Sequence, residues 1–147
     1  MAPTAEVLEQ QLTDLLRSRG HRVTPQRLVL HRVLRSRDRH LTAEEAMREL
    51  GRQLPNVSAP TVYATLELFE ELGLIRRVAM EGGGPALFDS RTDDHNHVAC
   101  RRCGRVEDIE VPVDDTRMRS AARAAGYEPE HTDVVVVGLC RDCCDCC

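Results

Sequence analysis

The strongest signal in the chain is residues 93–104, DDHNHVACRRCG. Cys100 and Cys103 are separated by two residues, a spacing that lets two thiolates on a tight turn bind one metal ion. Cys140 and Cys143 repeat the spacing near the C-terminus, and together the pairs predict a tetrahedral zinc site. Four thiolates leave zinc no open position, so we expect this site to be structural.

The two cysteine pairs can meet only if the chain between them folds out and returns. Its pattern predicts a strand over residues 105–111, a helix over 114–125 that ends at Gly126, and a strand over 133–139. The alternative is a thiol oxidoreductase, which places its cysteine pair at a helix start within a strand–helix–strand unit. Because that context is missing, the pattern favours a small α/β domain around zinc.

Two histidines precede the first cysteine pair. His95 and His97 would face the same side of a strand, so both imidazoles can reach one ion. Asp89 and Asp108 lie nearby in the sequence. Imidazoles with carboxylates suit divalent iron, manganese, zinc or nickel. The alternative is that both histidines are polar turn residues.

The first half of the chain predicts helices followed by a hairpin. Four helices are indicated: one ends at Gly20, one begins at Thr24-Pro25, one runs from the capping box of Thr42 to Gly51, and one runs from Ser58 to Gly73. Two short strands follow, over residues 74–78 and 86–88, with a glycine-rich turn at 81–85 between them. This order is typical of a winged helix-turn-helix, so the fold class is α+β.

Charge alone leaves nucleic-acid binding open. All 20 basic residues are arginine and the formal net charge is −4, which excludes lysine-dependent catalysis and argues against a generally basic nucleic-acid binder. Arginines nevertheless crowd the second helix and its ends: Arg22, Arg27, Arg32, Arg35, Arg37 and Arg39. They suit phosphate contacts. The alternative is a solvated face of an ordinary helical domain.

The start of the chain has no basic and apolar leader, and no apolar run approaches membrane-spanning length. Seven cysteines without a leader favour metal or redox chemistry over structural disulfides. We therefore expect a cytoplasmic protein with no membrane contact.

Five motifs, in this order and spacing, resemble the ferric uptake regulator family. They are residues 22–27 (RVTPQR), 40–45 (HLTAEE), 60–63 (PTVY), 95–104 (HNHVACRRCG) and 138–143 (GLCRDC). The resemblance covers nearly all of residues 22–143. It implies a metal-dependent transcriptional repressor that is a homodimer on a palindromic double-stranded DNA operator.

The resemblance also implies a division of the chain and a role for each metal. Residues 1–88 would form the winged-helix DNA-binding domain, 89–92 a hinge, and 93–147 a small α/β dimerisation and metal-binding domain. The structural zinc maps to Cys100, Cys103, Cys140 and Cys143, and the regulatory iron or manganese to His40, Asp89, His95, His97 and Asp108. The residues that map to DNA contacts are Arg22, Thr24, Gln26, Arg27, Ser58, Thr61 and Tyr63. Ala64 departs from the arginine that many iron sensors carry there.

The five regulatory positions resemble the peroxide-sensing branch most closely. Zinc sensors of the family place a cysteine in this site, and iron sensors usually have Glu where this chain has Asp108. In the peroxide sensors, ferrous iron reacts with hydrogen peroxide, a ligating histidine gains oxygen and the operator is released, whereas manganese supports DNA binding without that reaction. The resemblance thus implies control of peroxide-defence genes, with no enzymatic turnover.

Two alternatives stay open at this point. One is a regulator that responds to the iron level alone. The other is a switch by thiol oxidation, because the tail adds three cysteines, Cys144, Cys146 and Cys147. A third metal site known in some members is poorly matched here: Asp94 and Asn96 stand where histidine and aspartate would, and His131 is displaced by one residue.

Overall fold

The structure is a computed structural model that describes residues 4–36, 40–78, 80 and 84–144. The chain divides into two compact units, residues 1–92 and residues 93–147. The assignment of DNA-binding, hinge and dimerisation roles to residues 1–88, 89–92 and 93–147 stays a prediction. Arg37, Arg39, Cys146, Cys147 and part of the predicted turn at 81–85 lie outside the described residues.

In the described residues of the first unit, four helices accompany a three-stranded antiparallel sheet. The elements of this unit are α1 (Ala5–Ser18), α2 (Pro25–Arg35), β1 (Leu41–Thr42), α3 (Ala43–Gln53), α4 (Ala59–Glu71), β2 (Arg76–Val78) and β3 (Leu87–Asp89). The strand order is β1-β3-β2. Helices followed by this small sheet confirm the predicted winged-helix architecture.

The helix starts of this unit follow local chemistry. Thr24, Thr42 and Ser58 are the N-caps of α2, α3 and α4, and each side-chain oxygen accepts a hydrogen bond from a backbone N–H of the first turn. At α3 the carboxylate of Glu45 also accepts from the backbone N–H of Thr42, which completes the predicted capping box.

One predicted helix end is wrong. Helix α3 does not stop at Gly51 but continues to Gln53. The chain reverses at Asn56, whose φ of 71° is left-handed and whose side chain type tolerates that conformation. The predicted ends at Gly20 and Gly73 are confirmed, because both glycines adopt positive φ just after α1 and α4.

The core of the first unit is formed by the apolar faces of its helices. Fully buried side chains include Leu16, Leu30, Leu50, Leu66 and Phe69, one or more from each helix. His31 of α2 is also buried and its ring meets Phe69 edge-on, with ring centroids 5.8 Å apart.

The second unit is a three-stranded sheet with one helix. Its elements are β4 (Asn96–Cys100), β5 (Val106–Ile109), α5 (Thr116–Ala124) and β6 (Val135–Gly138). Strand β4 is central: it pairs antiparallel with β5 and parallel with β6. The predicted strand–helix–strand excursion is confirmed, with each element one or two residues shorter at its ends than predicted.

Candidate metal centres and nucleic-acid interface

The parallel pairing of β4 with β6 brings the two cysteine pairs together. Cys100 ends β4 opposite Gly138 of β6, so Cys140 emerges beside it. The backbone then turns at 101–103 and again at 141–143, and each turn returns the second cysteine of its pair toward the first. One ligand atom from each of Cys100, Cys103, Cys140 and Cys143 lies within 4.8 Å of the others.

The sulfur geometry fits zinc. Four thiolates at about 2.3 Å from a tetrahedral ion stand about 3.8 Å from one another. The Sγ atoms of Cys103 and Cys140 are 3.7 Å apart. The four sulfurs are thiols rather than disulfides, so all are available as ligands.

Backbone donors favour the thiolate form at the centre of this cluster. Hydrogen bonding from the backbone of Cys103, and then of Cys140, lowers the pKa of Cys100 to about 5. The Cys140 N–H lies 3.4 Å from Cys100 Sγ. The side chain of Cys140 and burial raise the pKa of Cys143 to about 12. The backbone thus favours a thiolate at Cys100, whereas its surroundings favour a neutral thiol at Cys143, and binding of a divalent cation would favour the thiolate form.

The second unit also assembles three oxygen and nitrogen donors. Asp108 of β5 is the register partner of His97 of β4, so the two side chains lie on one face of the sheet. Asp108 Oδ1 lies 3.5 Å from His95 Nε2 and 3.8 Å from His97 Nε2. The two imidazole centroids are 4.6 Å apart.

The ring of His95 is held in one orientation. Its Nδ1 lies 2.8 Å from the carbonyl oxygen of Asp93. Because a carbonyl can only accept, Nδ1 carries the proton and Nε2 keeps its lone pair for a metal. Both histidines are almost fully buried, His97 at 2% exposure.

The first unit holds a separate pair of donors. His40 directly precedes β1, and Asp89 ends β3, the strand that pairs with β1. His40 Nε2 lies 3.4 Å from Asp89 Oδ2, and both side chains are buried. The other carboxylate oxygen, Oδ1, accepts the backbone N–H of Arg91 at 2.8 Å, which leaves Oδ2 directed to the histidine.

These donors suit iron or manganese better than a thiophilic ion. Imidazole nitrogens and carboxylate oxygens are the ligands that ferrous iron and manganese share. Atoms bound about 2.1 Å from one ion stand roughly 3–4 Å apart, depending on the angle between them. The measured separations of 3.4, 3.5 and 3.8 Å fall in that range.

The predicted DNA-contacting residues all belong to the first unit. Thr24 and Ser58 cap α2 and α4, and the Ser58 and Thr61 hydroxyls lie 2.9 Å apart. These hydroxyls therefore order the helix starts. Tyr63 is 53% exposed on α4, so its side chain is accessible.

Sequence reasoning missed two residues that support the metal donors. The backbone carbonyl of Asp93 orients His95. Because every residue has a carbonyl, no pattern of side chains in the sequence indicates this contact. Asn96 is buried between the two histidines, and its Nδ2 donates to the Val111 carbonyl at 2.6 Å. A polar residue at the start of a buried strand was the signal that could have found it.

With both donor sets in place, the comparisons with known proteins decide the family. The ferric uptake regulator family model matches residues 18–137. The chain belongs to the ferric uptake regulator family. A similar curated relative is the peroxide-responsive repressor PerR of Staphylococcus saprophyticus, which is 33% identical over 148 residues, covering 99% of each chain.

Solved structures agree on the fold. The ferric uptake regulator Fur of Helicobacter pylori, described with three functional metal-binding sites, superposes with a TM-score of 0.77 over 96% of this chain and 94% of that one, at 20% identity. A zinc uptake regulator complexed with zinc and DNA gives a TM-score of 0.69 at 26% identity over 96% and 95% of the two chains.

Membership makes the chain a metal-dependent transcriptional repressor, since the family consists of transcription regulators that bind DNA and form dimers rather than enzymes. The cofactors that fit this chain are zinc in the four-cysteine cluster and ferrous iron or manganese on the histidine and aspartate donors. Within the described ranges, none of the helices combines the length and apolarity needed to span a bilayer.

Proposed function

We propose that this repressor senses hydrogen peroxide in the cytoplasm through iron-catalysed oxidation of a histidine ligand, and that it controls peroxide-defence genes. The observation that carries the proposal is the chemistry of the donors in each unit, which among the described residues are imidazoles and carboxylates: His40 with Asp89 in the first unit, and His95 and His97 with Asp108 in the second. The 33% identity with a peroxide-responsive repressor supports the same branch.

In this proposal all five donors bind one regulatory ion. His40 and Asp89 come from the first unit, and His95, His97 and Asp108 come from the second. A shared ion favours the conformation in which the two donor sets are together. If DNA favours the same conformation, each ligand strengthens the binding of the other.

The histidines are suited to be the oxidised groups. Ferrous iron, when bound, would supply the redox chemistry that cleaves the O–O bond of peroxide. In the overall reaction one peroxide oxygen replaces the hydrogen on an imidazole carbon and the other leaves as water, so the imidazole is the group oxidised by two electrons and peroxide the group reduced. His95 and His97 are buried and their ring centroids lie 4.6 Å apart, so bulk water has little access to these two rings and an oxidant formed at their nitrogens would have an imidazole beside it. An oxygenated ring is a poorer ligand, so oxidation weakens the link between the donor sets and the operator is released.

The first unit provides the proposed DNA surface. Helix α4 would enter the major groove with Thr61 and Tyr63 toward the bases, with Ser58 at its start. Four residues around the start of α2 would contact the DNA backbone: Arg22, Thr24, Gln26 and Arg27. The guanidinium of Arg27 donates a hydrogen bond to the Arg22 carbonyl, which links these two positions.

The second unit provides the proposed dimer face. Large apolar side chains are exposed there: Val111, Val113, Met118, Tyr127, Val136 and Val137. Helix α5 has no buried residue of its own. Exposed apolar surface of this kind is typical of an interaction site, here the contact with a second copy of the chain. A dimer with two-fold symmetry would bind an operator with matching palindromic symmetry.

The deciding experiment is fragment mass spectrometry of the iron-loaded dimer after brief peroxide treatment. Cleavage at arginine yields peptides 40–48 and 92–101, which hold the three candidate histidines. Met47 and Cys100 share these peptides, so added oxygen must be assigned to a residue. The manganese-loaded dimer is the matched control.

Oxygen on His40, His95 or His97 that depends on iron supports the proposal. Unmodified histidines together with iron-dependent DNA binding would indicate a regulator of iron level instead. Oxidation confined to Cys144, Cys146 and Cys147 would indicate a thiol switch.

A further inference from the structure

A groove in the first unit lies between helices α1 and α2. None of the proposed metal ligands lines it, and two of its lining residues, Arg32 and Arg35, belong to the arginines that also suit phosphate contacts. Its volume is about 150 Å³. Its lining combines apolar residues of both helices with a cluster of ionisable ones: Ala5, Leu8, Glu9, Leu28, His31, Arg32, Arg35 and Ser36. An apolar cavity of about this volume holds one benzene-sized ring.

The most informative residue of the groove is His31. It is 6% exposed, yet it forms no hydrogen bond with any residue in the part of the chain that the structure describes; its one ring contact there is the edge-on approach to Phe69. No ring nitrogen of His31 is among the described side-chain atoms that are both fully enclosed and without a hydrogen-bond partner, so these nitrogens are within reach of water or of a ligand. His31 lines the groove, and the groove is therefore where a partner would reach it.

The charges around the groove favour an anion. Arg32 is paired with Glu9 across α1 and α2, with Nη2 and Oε2 2.9 Å apart. Arg35 is exposed and makes no ion pair with any described residue. Burial, and next the charge of Arg35, lower the pKa of His31 to about 4, so the ring is neutral at pH 7 and offers one donor and one acceptor. Among the described residues, Arg35 is thus the groove's arginine whose charge no ion pair offsets.

We propose that this groove binds a small carboxylic acid with a single apolar ring, its carboxylate on Arg35, a hydrogen bond to His31, and its ring against Leu8 and Leu28. Such an occupant contacts both helices at once. It would stabilise the packing of α1 on α2 in proportion to its occupancy, because it binds only the folded unit.

The test uses the zinc-loaded, full-length dimer with isotope-labelled leucine methyl groups and benzoate as the probe. We expect saturable shifts of the Leu8 and Leu28 methyl resonances, while those of Leu50 and Leu68, which lie outside the groove, stay unchanged. Benzamide, which keeps the ring but lacks the charge, and acetate, which keeps the charge but lacks the ring, should each bind at least about tenfold more weakly.

Arg35→Gln is the main variant because Arg35 is exposed and its loss leaves the core intact. It should weaken benzoate binding about tenfold, whereas Arg48→Gln, an exposed arginine of α3 away from the groove, should not change it. His31→Gln, checked for folding by circular dichroism, should also weaken binding. The proposal is overturned if Leu8 and Leu28 show no saturable shift, if benzamide binds as well as benzoate, or if Arg35→Gln binds benzoate as the unchanged protein does.

Discussion

Asp108 is the residue on which the second unit's regulatory donors converge, because its Oδ1 faces both His95 and His97. We expect Asp108→Asn to weaken manganese binding by at least about tenfold, since it removes the negative charge while keeping the shape. Electron paramagnetic resonance of free manganese during titration measures this. Glu107→Gln is the matched control: Glu107 is the neighbouring acid on the opposite face of β5.

Equal weakening by Asp108→Asn and Glu107→Gln would show that net charge, and not ligation, sets the affinity.

Cys103 is the exposed member of the four-cysteine cluster, so its substitution tests the zinc site with little loss of packing. Cys103→Ser should release zinc and lower the melting temperature, because the metal-binding free energy is part of the folding free energy of a small metal domain. Zinc content by atomic emission and thermal circular dichroism measure both effects. Cys144→Ser, one residue beyond the cluster, should leave the zinc content unchanged; zinc loss there, or retention in Cys103→Ser, would contradict the assignment.

His31 gives the first unit a pH-dependent stability. Its pKa in the folded chain is about 4, below the ordinary 6.5, so the unfolded chain binds the proton more tightly. Stability from this residue is complete above pH 6.5 and declines as the pH falls toward 4. Between pH 7 and pH 5 we expect the free energy of unfolding to fall by about 2 kcal/mol through this residue.

Urea denaturation at both pH values measures that loss, and the difference should shrink in His31→Leu. An unchanged pH dependence in His31→Leu would show that other groups carry it.

At the scale of elements, the helix starts were predictable because their signals are local. Thr24, Thr42 and Ser58 each cap the helix that follows within three residues. Strand β1 was not predictable: it has two residues and exists only because it pairs with β3, whose partner residues lie more than 40 positions away. The predicted end of α3 at Gly51 was wrong, because a helix tolerates an internal glycine when a neighbouring residue packs into the core, as Leu50 does.

The cysteine pairs and the pair His95 and His97 could be singled out as candidate donors for a related reason, whereas His40 was assigned only through the family resemblance. The cysteine and histidine spacings are short, because the residues must reach one ion. They can therefore be recognised in the sequence without knowledge of the fold. The groups that hold the donors in place could not be predicted. The Asp93 carbonyl that contacts His95, and the Val111 carbonyl that accepts from Asn96, are backbone groups whose positions depend on the folded strands.

The capping box of α3 begins at Thr42, which is the last residue of β1 and lies two positions after His40. Thr42→Ala should destabilise the first unit by about 1 kcal/mol, within the range for lost N-caps. Thr42→Ser, which keeps the hydroxyl, should cost much less. Urea denaturation compares the two, and equal losses would mean that the threonine methyl group, and not the cap, matters.

Strand β4 joins the two kinds of metal chemistry in one element. His97 lies within it and Cys100 ends it, while the buried Asn96 donates to the carbonyl of Val111 beyond β5. This hydrogen bond extends the β4–β5 contact past Ile109 and thereby holds the segment that presents Asp108. Loss of the zinc cluster at one end of β4 would therefore disturb the donors at the other end.

Asn96→Leu should destabilise the second unit by about 1–2 kcal/mol and weaken manganese binding, although Asn96 is not a ligand. Urea denaturation and the manganese titration measure the two effects. A loss of stability with unchanged manganese affinity would limit Asn96 to a purely structural role.

At the scale of the whole molecule, the proposed regulation is a linkage between two binding equilibria. If one ion unites donors from the two units and DNA selects the same conformation, manganese must tighten operator binding. Thermodynamics then requires operator DNA to tighten manganese binding by the same factor, which for allosteric proteins is typically about 5- to 150-fold. The operator duplex for this measurement is selected from a random library with the zinc- and manganese-loaded dimer.

Two titrations close the cycle: DNA binding by fluorescence anisotropy with and without manganese, and manganese binding with and without the duplex, all with zinc retained. Asp108→Asn should reduce both factors together, because it weakens the ion that couples the units, whereas Glu107→Gln should leave both intact. If manganese tightens DNA binding but the duplex leaves the manganese affinity unchanged, then manganese does not act by binding to the conformation that binds DNA. A conformational link through the five donors would then be excluded.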